Sequence, residues 1–254
     1  MENTRSRAAL PAVNLILFET TADASRLAPD DPRTVHIRDV LRLKPGDVLF
    51  VGAVNGPRGK ATLLADGPDG LRLDVAWETR IEPPRPFHVL VGMSRPQTAR
   101  DLLREGAAFG VAALHFFNAE KGEPSYADST LWKSGEWQQR LREGAAQAFA
   151  THVPAVARHD SLAACIQNLN TEIPAAVPRL ALDVYEAGAP LSQLAPAAGP
   201  VVLALGSERG WSPAERTQLR AAGFALAHLG PRVLRVETAL VAGLSVLLAR
   251  SGEF

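Results

Sequence analysis

Two stretches near the C-terminal end carry residue types at spacings that suit a small-molecule site. The first, Gly206-Ser207-Glu208-Arg209-Gly210, follows the apolar run Val201–Leu205 and precedes Ser212-Pro213-Ala214-Glu215. A buried strand that ends in a glycine-containing loop before a helix is how α/β proteins present ligand sites at strand C-termini. Ser212, Pro213 and Glu215 have the spacing of a capping box with proline at the first helical position, which sets the helix start. The loop matches neither the dinucleotide fingerprint nor the phosphate-binding P-loop. Spacing alone therefore leaves it open between a ligand loop and a plain tight turn. The second stretch, residues 229–240, reads Leu-Gly-Pro-Arg-Val-Leu-Arg-Val-Glu-Thr-Ala-Leu. It too begins at a strand end, and it leads into residues 240–249, which are apolar nearly all round and so form a buried helix. Cations and a carboxylate just before such a helix are costly to bury unless something satisfies them. A ligand would do so, and so would an ion pair between Arg235 and Glu237.

The elements that must position these loops follow from periodicity. Residues 87–93, 112–117, 180–184, 201–205 and 225–229 are short apolar runs of buried-strand type. They alternate with helical patterns at 98–109 and 137–149 and with helices after the last two runs, so a mostly parallel α/β sheet is expected. The first eighty residues differ. Residues 13–18, 48–54, 60–65 and 71–75 read as strands, separated by Lys44-Pro45-Gly46-Asp47, Asn55-Gly56-Pro57-Arg58-Gly59 and Asp66-Gly67-Pro68-Asp69-Gly70. Between them, residues 34–43 show helical spacing, with Ile37, Val40 and Leu41 on one face. Short strands with tight turns suggest a small barrel. Glu82-Pro83-Pro84-Arg85-Pro86 is the candidate linker, which gives domains at 1–82 and 83–254.

Composition narrows the partners. Lys+Arg and Asp+Glu number 27 each, so no global basic field announces a nucleic acid, and any RNA contact must be local. The local surplus is Arg33, Arg38, Arg42 and Lys44, with Arg5 and Arg7 candidates to join it; a solvated charged face explains it as well as RNA backbone contact does. The single Cys165 excludes an intramolecular disulfide and a Cys-rich zinc site, and its apolar neighbours mark a buried small hydrophobe. No metal site is expected. No apolar run reaches the roughly 18–20 residues of a membrane span, so a cytoplasmic location is expected. Tyr126, Trp132 and Trp137 suit either base stacking or helix packing.

The order strand, G-x-E-x-G loop, helix, strand, L-G-P-R-V-L-R-x-E-T-A, buried helix resembles the C-terminal half of the SPOUT methyltransferases. More narrowly, the chain resembles the family that methylates N3 of a uridine in small-subunit ribosomal RNA. His36-Ile37-Arg38-Asp39-Val40-Leu41-Arg42-Leu43-Lys44-Pro45-Gly46-Asp47 is similar to that family's H-x-x-x-V-L-R-x-x-x-G-D signature. The resemblance implies a PUA-like β-barrel that binds RNA, followed by an α/β domain whose chain threads a trefoil knot. It implies a homodimer packed through the C-terminal helix, with ribosomal RNA as partner and S-adenosylmethionine as cofactor. Matched position by position, it assigns the cofactor to Leu205, Gly206, Ser207, Glu208 and Gly210 in one loop. Leu229, Gly230, Val233, Leu234, Arg235 and Thr238 hold it in the next. His36, Arg38, Arg42 and Lys44 fall to the RNA.

The chain departs from that family at several places. The usual G-P-E-G-G reads Gly206-Ser207-Glu208-Arg209-Gly210. A Glu-Gln followed by an Arg becomes Ala146-Gln147 with Ala150 and His152, and a lysine expected near residue 98 is replaced by Gln97 and Arg100 nearby. Uracil N3 is a poor nucleophile until its proton leaves, so the site must stabilise charge on the flanking carbonyl oxygens. Arg235 is the candidate for that role, with Glu237 orienting it or the cofactor. His36 could serve as a general base, but its place at the start of the helix favours capping or a phosphate contact. The competing functions are a non-catalytic RNA-binding or ribosome-assembly factor that keeps this fold, and a nucleotide-binding α/β protein of another kind, which would lack a phosphate-cradling motif.

Overall fold

The computed structural model describes residues 15–253; the expected start of the first strand at 13–14 and the cations Arg5 and Arg7 lie outside them. Among the described residues the chain forms two compact units, one up to Glu82 together with Ala146–His152, the other Pro83–Ala145 with the chain from Val153 onward.

The first unit is a five-stranded sheet. Its strands are β1 (Ile16–Phe18), β2 (Arg26–Leu27), β3 (Val48–Ala53), β4 (Arg58–Gly67) and β5 (Gly70–Trp77), in the order β1-β3-β4-β5-β2. β1 runs parallel to β3 and the other pairs are antiparallel. Residues expected to form a loop at 66–70 instead extend the strands, leaving Pro68 and Asp69 as a two-residue hairpin tip. Alternation buries Leu49 and Val51 of β3, Ala61 and Leu63 of β4, and Leu71 and Leu73 of β5 against Phe18 and Ile37.

The expected helix at 34–43 is only a turn of α1 (Pro32–Val35) that widens into a π-type turn over His36–Val40. The wider turn shifts the facing positions. Ile37 is buried and Leu41 half-buried, but Val40 is 64% exposed, so the predicted apolar face is not formed. Residues 146–152 lie along the turn after β3. Thr151 accepts from the Asn55 N–H at 2.8 Å and donates from Oγ1 to the Gly56 carbonyl at 2.7 Å. Phe149, at φ +58°, meets the Phe50 ring edge-on at 4.8 Å.

The second unit is a seven-stranded sheet, all of whose pairs are parallel. Its elements in chain order are β6 (Arg85–Gly92), α2 (Pro96–Ala108), β7 (Val111–Phe117), α3 (Thr130–Lys133), α4 (Glu136–Gln147), β8 (Ala155–His159) and α5 (Leu162–Glu172). Then follow β9 (Arg179–Leu182), β10 (Ala189–Pro190), α6 (Leu191–Leu194), β11 (Val201–Leu205), α7 (Pro213–Ala221), β12 (Phe224–His228) and α8 (Val236–Ser251). The strand order is β10-β12-β9-β11-β6-β7-β8. Both faces are covered, which is why β11 reads as five successive apolar residues, all buried. Phe87, Val89, Val91, Leu114 and Phe116 pack one face under α2 and α8, while Leu90, Phe117, Val202 and Ala204 pack the other under α5 and α7. Trp132 is buried edge-on against Phe116 at 4.9 Å, and the half-buried Trp137 packs on the same core, so both serve in packing.

Candidate functional site

The C-terminal ends of β9, β11 and β12 open onto one cavity of about 690 Å³. Its walls are two loops, residues 206–211 after β11 and 229–236 after β12, joined by the chain just beyond β9. Of the eleven residues expected to hold a cofactor, all but Thr238 line this cavity, and Glu237 lines it as well. Thr238 is exposed on the first turn of α8. The His36, Arg38, Arg42 and Lys44 group belongs to the first unit.

The first loop is held by close backbone approach. Gly210 takes φ +66° and its N–H donates to the Ser207 carbonyl at 2.8 Å, closing a tight turn. A Cβ on Gly92, at the end of β6, would lie 2.5 Å from the Ser207 nitrogen, so that position admits only glycine. The Glu208 carboxylate accepts from the backbone N–H of Arg95 at 2.9 Å, at the N-terminus of α2. The capping box predicted for the following helix is formed, Glu215 N–H donating to Ser212 Oγ at 3.0 Å and Ser212 N–H to the Glu215 carboxylate at 2.8 Å. Ser207 is buried, and its Oγ has no hydrogen-bond partner among the described residues. A buried hydroxyl beside a cavity without a partner is a place a ligand can satisfy.

The second loop is open. Gly230 takes φ +102° and its N–H donates to His228 Nδ1 at 3.1 Å. Val233 and Leu234 are 69% and 36% exposed, apolar side chains that would lose water contact against a flat ring. Arg235 is the residue before α8 and is exposed, and Glu237 sits in the first turn. Among the described residues no ion pair joins them, so the internal pairing the sequence allowed is not made.

Residues that sequence reading passed over complete the floor. Asp183, one residue past β9, is buried and paired with Arg216 of α7, and it also accepts from the Tyr185 and Glu186 N–H groups at 2.7 Å and 3.1 Å. Burial alone would raise its carboxyl, but the hydrogen bonds from Arg216 and from those two amides outweigh it and hold the group below the usual carboxylate range. Trp211 is buried, stacks on Phe117 at 5.9 Å and donates from Nε1 to the Leu182 carbonyl at 2.8 Å. Lys121 Nζ donates to the Trp211 carbonyl at 2.9 Å. The one signal that could have found Asp183 is a carboxylate placed directly after a buried strand. The other contacts join residues far apart in sequence.

Of the local cations in the first unit, Arg33 pairs with Asp31 at 2.6 Å and lies 4.6 Å over the Phe18 ring. Arg38 pairs with Asp66 at 2.5 Å and donates to the Gly67 carbonyl at 2.9 Å. Arg42 and Lys44 are exposed and make no ion pair among the described residues, and Arg42 has φ +54°.

Residues 81–248 match the model of the RNA methyltransferase domain. A protein of Treponema pallidum, ribosomal RNA small subunit methyltransferase E, is 31% identical over 247 residues, which cover 94% of this chain and 92% of that one. Among solved structures, a ribosomal RNA small subunit methyltransferase E from Neisseria gonorrhoeae bound to S-adenosyl methionine superposes with a TM-score of 0.75 at 20% identity, covering 93% of this chain and 97% of the other. A putative methyltransferase from Legionella pneumophila, in complex with the same cofactor, gives 0.76 at 21% identity, covering 92% and 96%. These two likenesses speak for the fold.

Proposed function

Because the chain belongs to the RNA methyltransferase family that includes the small-subunit ribosomal RNA methyltransferases E, we propose that it transfers a methyl group from S-adenosylmethionine to N3 of a uridine in small-subunit ribosomal RNA. The observation that carries the reading is the convergence of the 206–211 and 229–236 loops on one cavity of about 690 Å³. That volume lies within the range of small-molecule and cofactor sites. The mixture of backbone groups, exposed Val233 and Leu234, and the unpartnered Ser207 hydroxyl fits a nucleoside cofactor.

In this reading the backbone of Leu205, Gly206, Ser207 and Gly210 meets the polar edge of the adenine, while Leu229, Gly230, Val233 and Leu234 sandwich its ring. When bound, the cofactor supplies an electrophilic methyl group on a sulfonium. Arg235, without an ion pair among the described residues and at the electropositive start of α8, stabilises negative charge as uracil N3 gives up its proton to solvent. Glu237 orients Arg235 or the cofactor. Much of the acceleration comes from holding acceptor and methyl group in line.

The finer architecture belongs to the same proposal. Residues 1–82 form a PUA-like RNA-binding domain and 83–254 a SPOUT domain with a trefoil knot; the position of β9 between β11 and β12 supports the latter. The protein is a cytoplasmic homodimer joined through α8. Support comes from the composition of that helix, apolar nearly all round although Val241, Ala242 and Val246 are only half-buried in the single chain. Among the described residues no helix is long and apolar enough to cross a membrane.

The test is mass-spectrometric mapping of ribosomal RNA from cells with and without the gene, together with Arg235→Ala protein. Loss of one N3-methyluridine on deletion, and an Arg235→Ala variant that binds cofactor but does not restore it, is the expected pair. An unchanged profile, with RNA binding retained, would replace the enzyme by an assembly factor.

A further inference from the structure

The sheet face beneath α5 carries three histidines on neighbouring strands. In the ladder His115 of β7 lies opposite Leu90, two residues beyond His88 of β6, and His159 of β8 lies opposite Phe117, two residues beyond His115. The three therefore step diagonally across one face. Their rings stack at centroid separations of 5.7 Å and 5.8 Å. His115 is 2% exposed, and Cys165 of α5 is wholly buried. One ring nitrogen each of His115 and His159, with Sγ of Cys165, lie within 4.8 Å of one another. His88 Nδ1 faces His115 Nε2 at 3.4 Å, which leaves His115 Nδ1 over. That nitrogen and His159 Nε2 are buried without a hydrogen-bond partner among the described residues.

A buried nitrogen without a partner is costly, and His115 and His159 each carry one beside a thiol, which calls for an occupant. We propose that His115, His159 and Cys165 bind one divalent metal ion of the zinc type, at a structural site separate from the cofactor cavity. None of these three side chains, nor His88, lines that cavity. Two imidazoles and a thiolate are the borderline-soft set that zinc prefers. Zinc bonds of about 2.0 Å to nitrogen and about 2.3 Å to sulfur put tetrahedral ligand atoms roughly 3.3–3.6 Å apart. A separation of up to 4.8 Å must close by roughly 1.2–1.5 Å, which side-chain rotation supplies, with water in the fourth position.

The surroundings suit the ion. His88 Nδ1 can accept from His115 Nε2–H, which selects the tautomer whose Nδ1 lone pair faces the metal. Burial, with His88 and His159 nearby, pushes His115 down to about 4, so its ring is neutral and able to coordinate at ordinary pH. Burial pushes the Cys165 thiol up to about 12. Its S–H bond therefore breaks as the sulfur–metal bond forms, and the proton passes to solvent. The charge of Glu172 acts on His88, His159 and Cys165 and offsets the net positive charge of metal plus thiolate.

Untagged full-length protein stripped with a chelator and titrated with Co²⁺ alone provides the test. One equivalent should bind with a sulfur-to-cobalt charge-transfer band, and Zn²⁺ should displace it. Cys165→Ser should abolish the band, and both it and His159→Gln should weaken Zn²⁺ by at least about tenfold, with cofactor affinity unchanged. His159 is only half-buried, so its variant carries the test if Cys165→Ser does not fold. No stoichiometric uptake by the wild-type protein, uptake without the sulfur band, or uptake unaltered in His159→Gln would each overturn the proposal.

Discussion

The Glu208 carboxylate and the Arg95 backbone N–H, 113 residues apart in sequence, meet at 2.9 Å and tie the loop after β11 to the start of α2. A carboxylate at a helix N-terminus gains from the helix dipole as well as from the hydrogen bond. Because Glu208 is exposed, the link is worth about 1 kcal/mol. Glu208→Ala should weaken S-adenosylmethionine about fivefold by calorimetry, while Glu208→Gln keeps an acceptor and loses less. Equal losses in the two variants would mean that charge, and not the tether, matters.

Gly92 faces the same loop from below. Alanine there would place a methyl group 2.5 Å from the Ser207 nitrogen, against backbone that cannot rotate away. Gly92→Ala should destabilise the protein by about 1–3 kcal/mol and displace the loop, so cofactor affinity falls more than melting temperature alone would suggest. Thermal unfolding with and without cofactor separates the two effects. A variant stabilised by cofactor as strongly as wild type would refute the close approach.

Asp183 and Arg216 form a buried ion pair beneath the cavity. Asp183→Ala leaves the guanidinium without its partner and should cost about 3–5 kcal/mol in urea unfolding at neutral pH. The folded-state carboxyl lies below its unfolded value. Its contribution is therefore complete above an unfolded pKa of about 3.9 and fades as pH falls from there through the lower folded value. The stability curve of Asp183→Ala should run flatter than wild type below about pH 4. Parallel curves would remove the ion pair from the account.

The two arginines named for RNA contact should part company. Arg42 is exposed and has no ion pair among the described residues, so Arg42→Ala should reduce the salt dependence of RNA binding by about one phosphate contact. Arg38 is held by Asp66 and the Gly67 carbonyl, so Arg38→Ala should change the salt slope little and lower stability by up to about 1 kcal/mol. Filter binding across a salt series, with melting of both variants, reads this directly. A slope change for Arg38 as large as for Arg42 would reverse the assignment.

Local signals made much of this legible. The apolar run of β11 and the Ser212-Pro213-Glu215 cap are short-range features, and each forms where its residues say it should. The helix expected at 137–149 ends at Gln147, since Phe149 takes a left-handed conformation that periodicity does not encode. The failure at residues 34–43 is of the same kind, a π-type turn replacing the assumed 3.6-residue period. β8 escaped notice because its burial is uneven and shows no clean alternation, whereas α5 was legible, with Leu162, Cys165, Ile166 and Leu169 at helical spacing after a Ser161 cap. In the site, the loop residues carried their own spacing, whereas Gly92, Asp183 and Lys121 matter through contacts with residues some 30 to 115 positions away.

The contribution of residues 146–152 to the first unit bears on the order of events during synthesis. The Asn55 amide and the Gly56 carbonyl find their partners on Thr151. When residue 82 leaves the ribosome, the N-terminal unit still lacks the segment that saturates this turn. It must wait, partly open, until β6, α2 and β7 have been made and the chain comes back to it. Three cuts would be needed to free the unit intact, and a fragment ended at residue 82 would carry an unsatisfied edge.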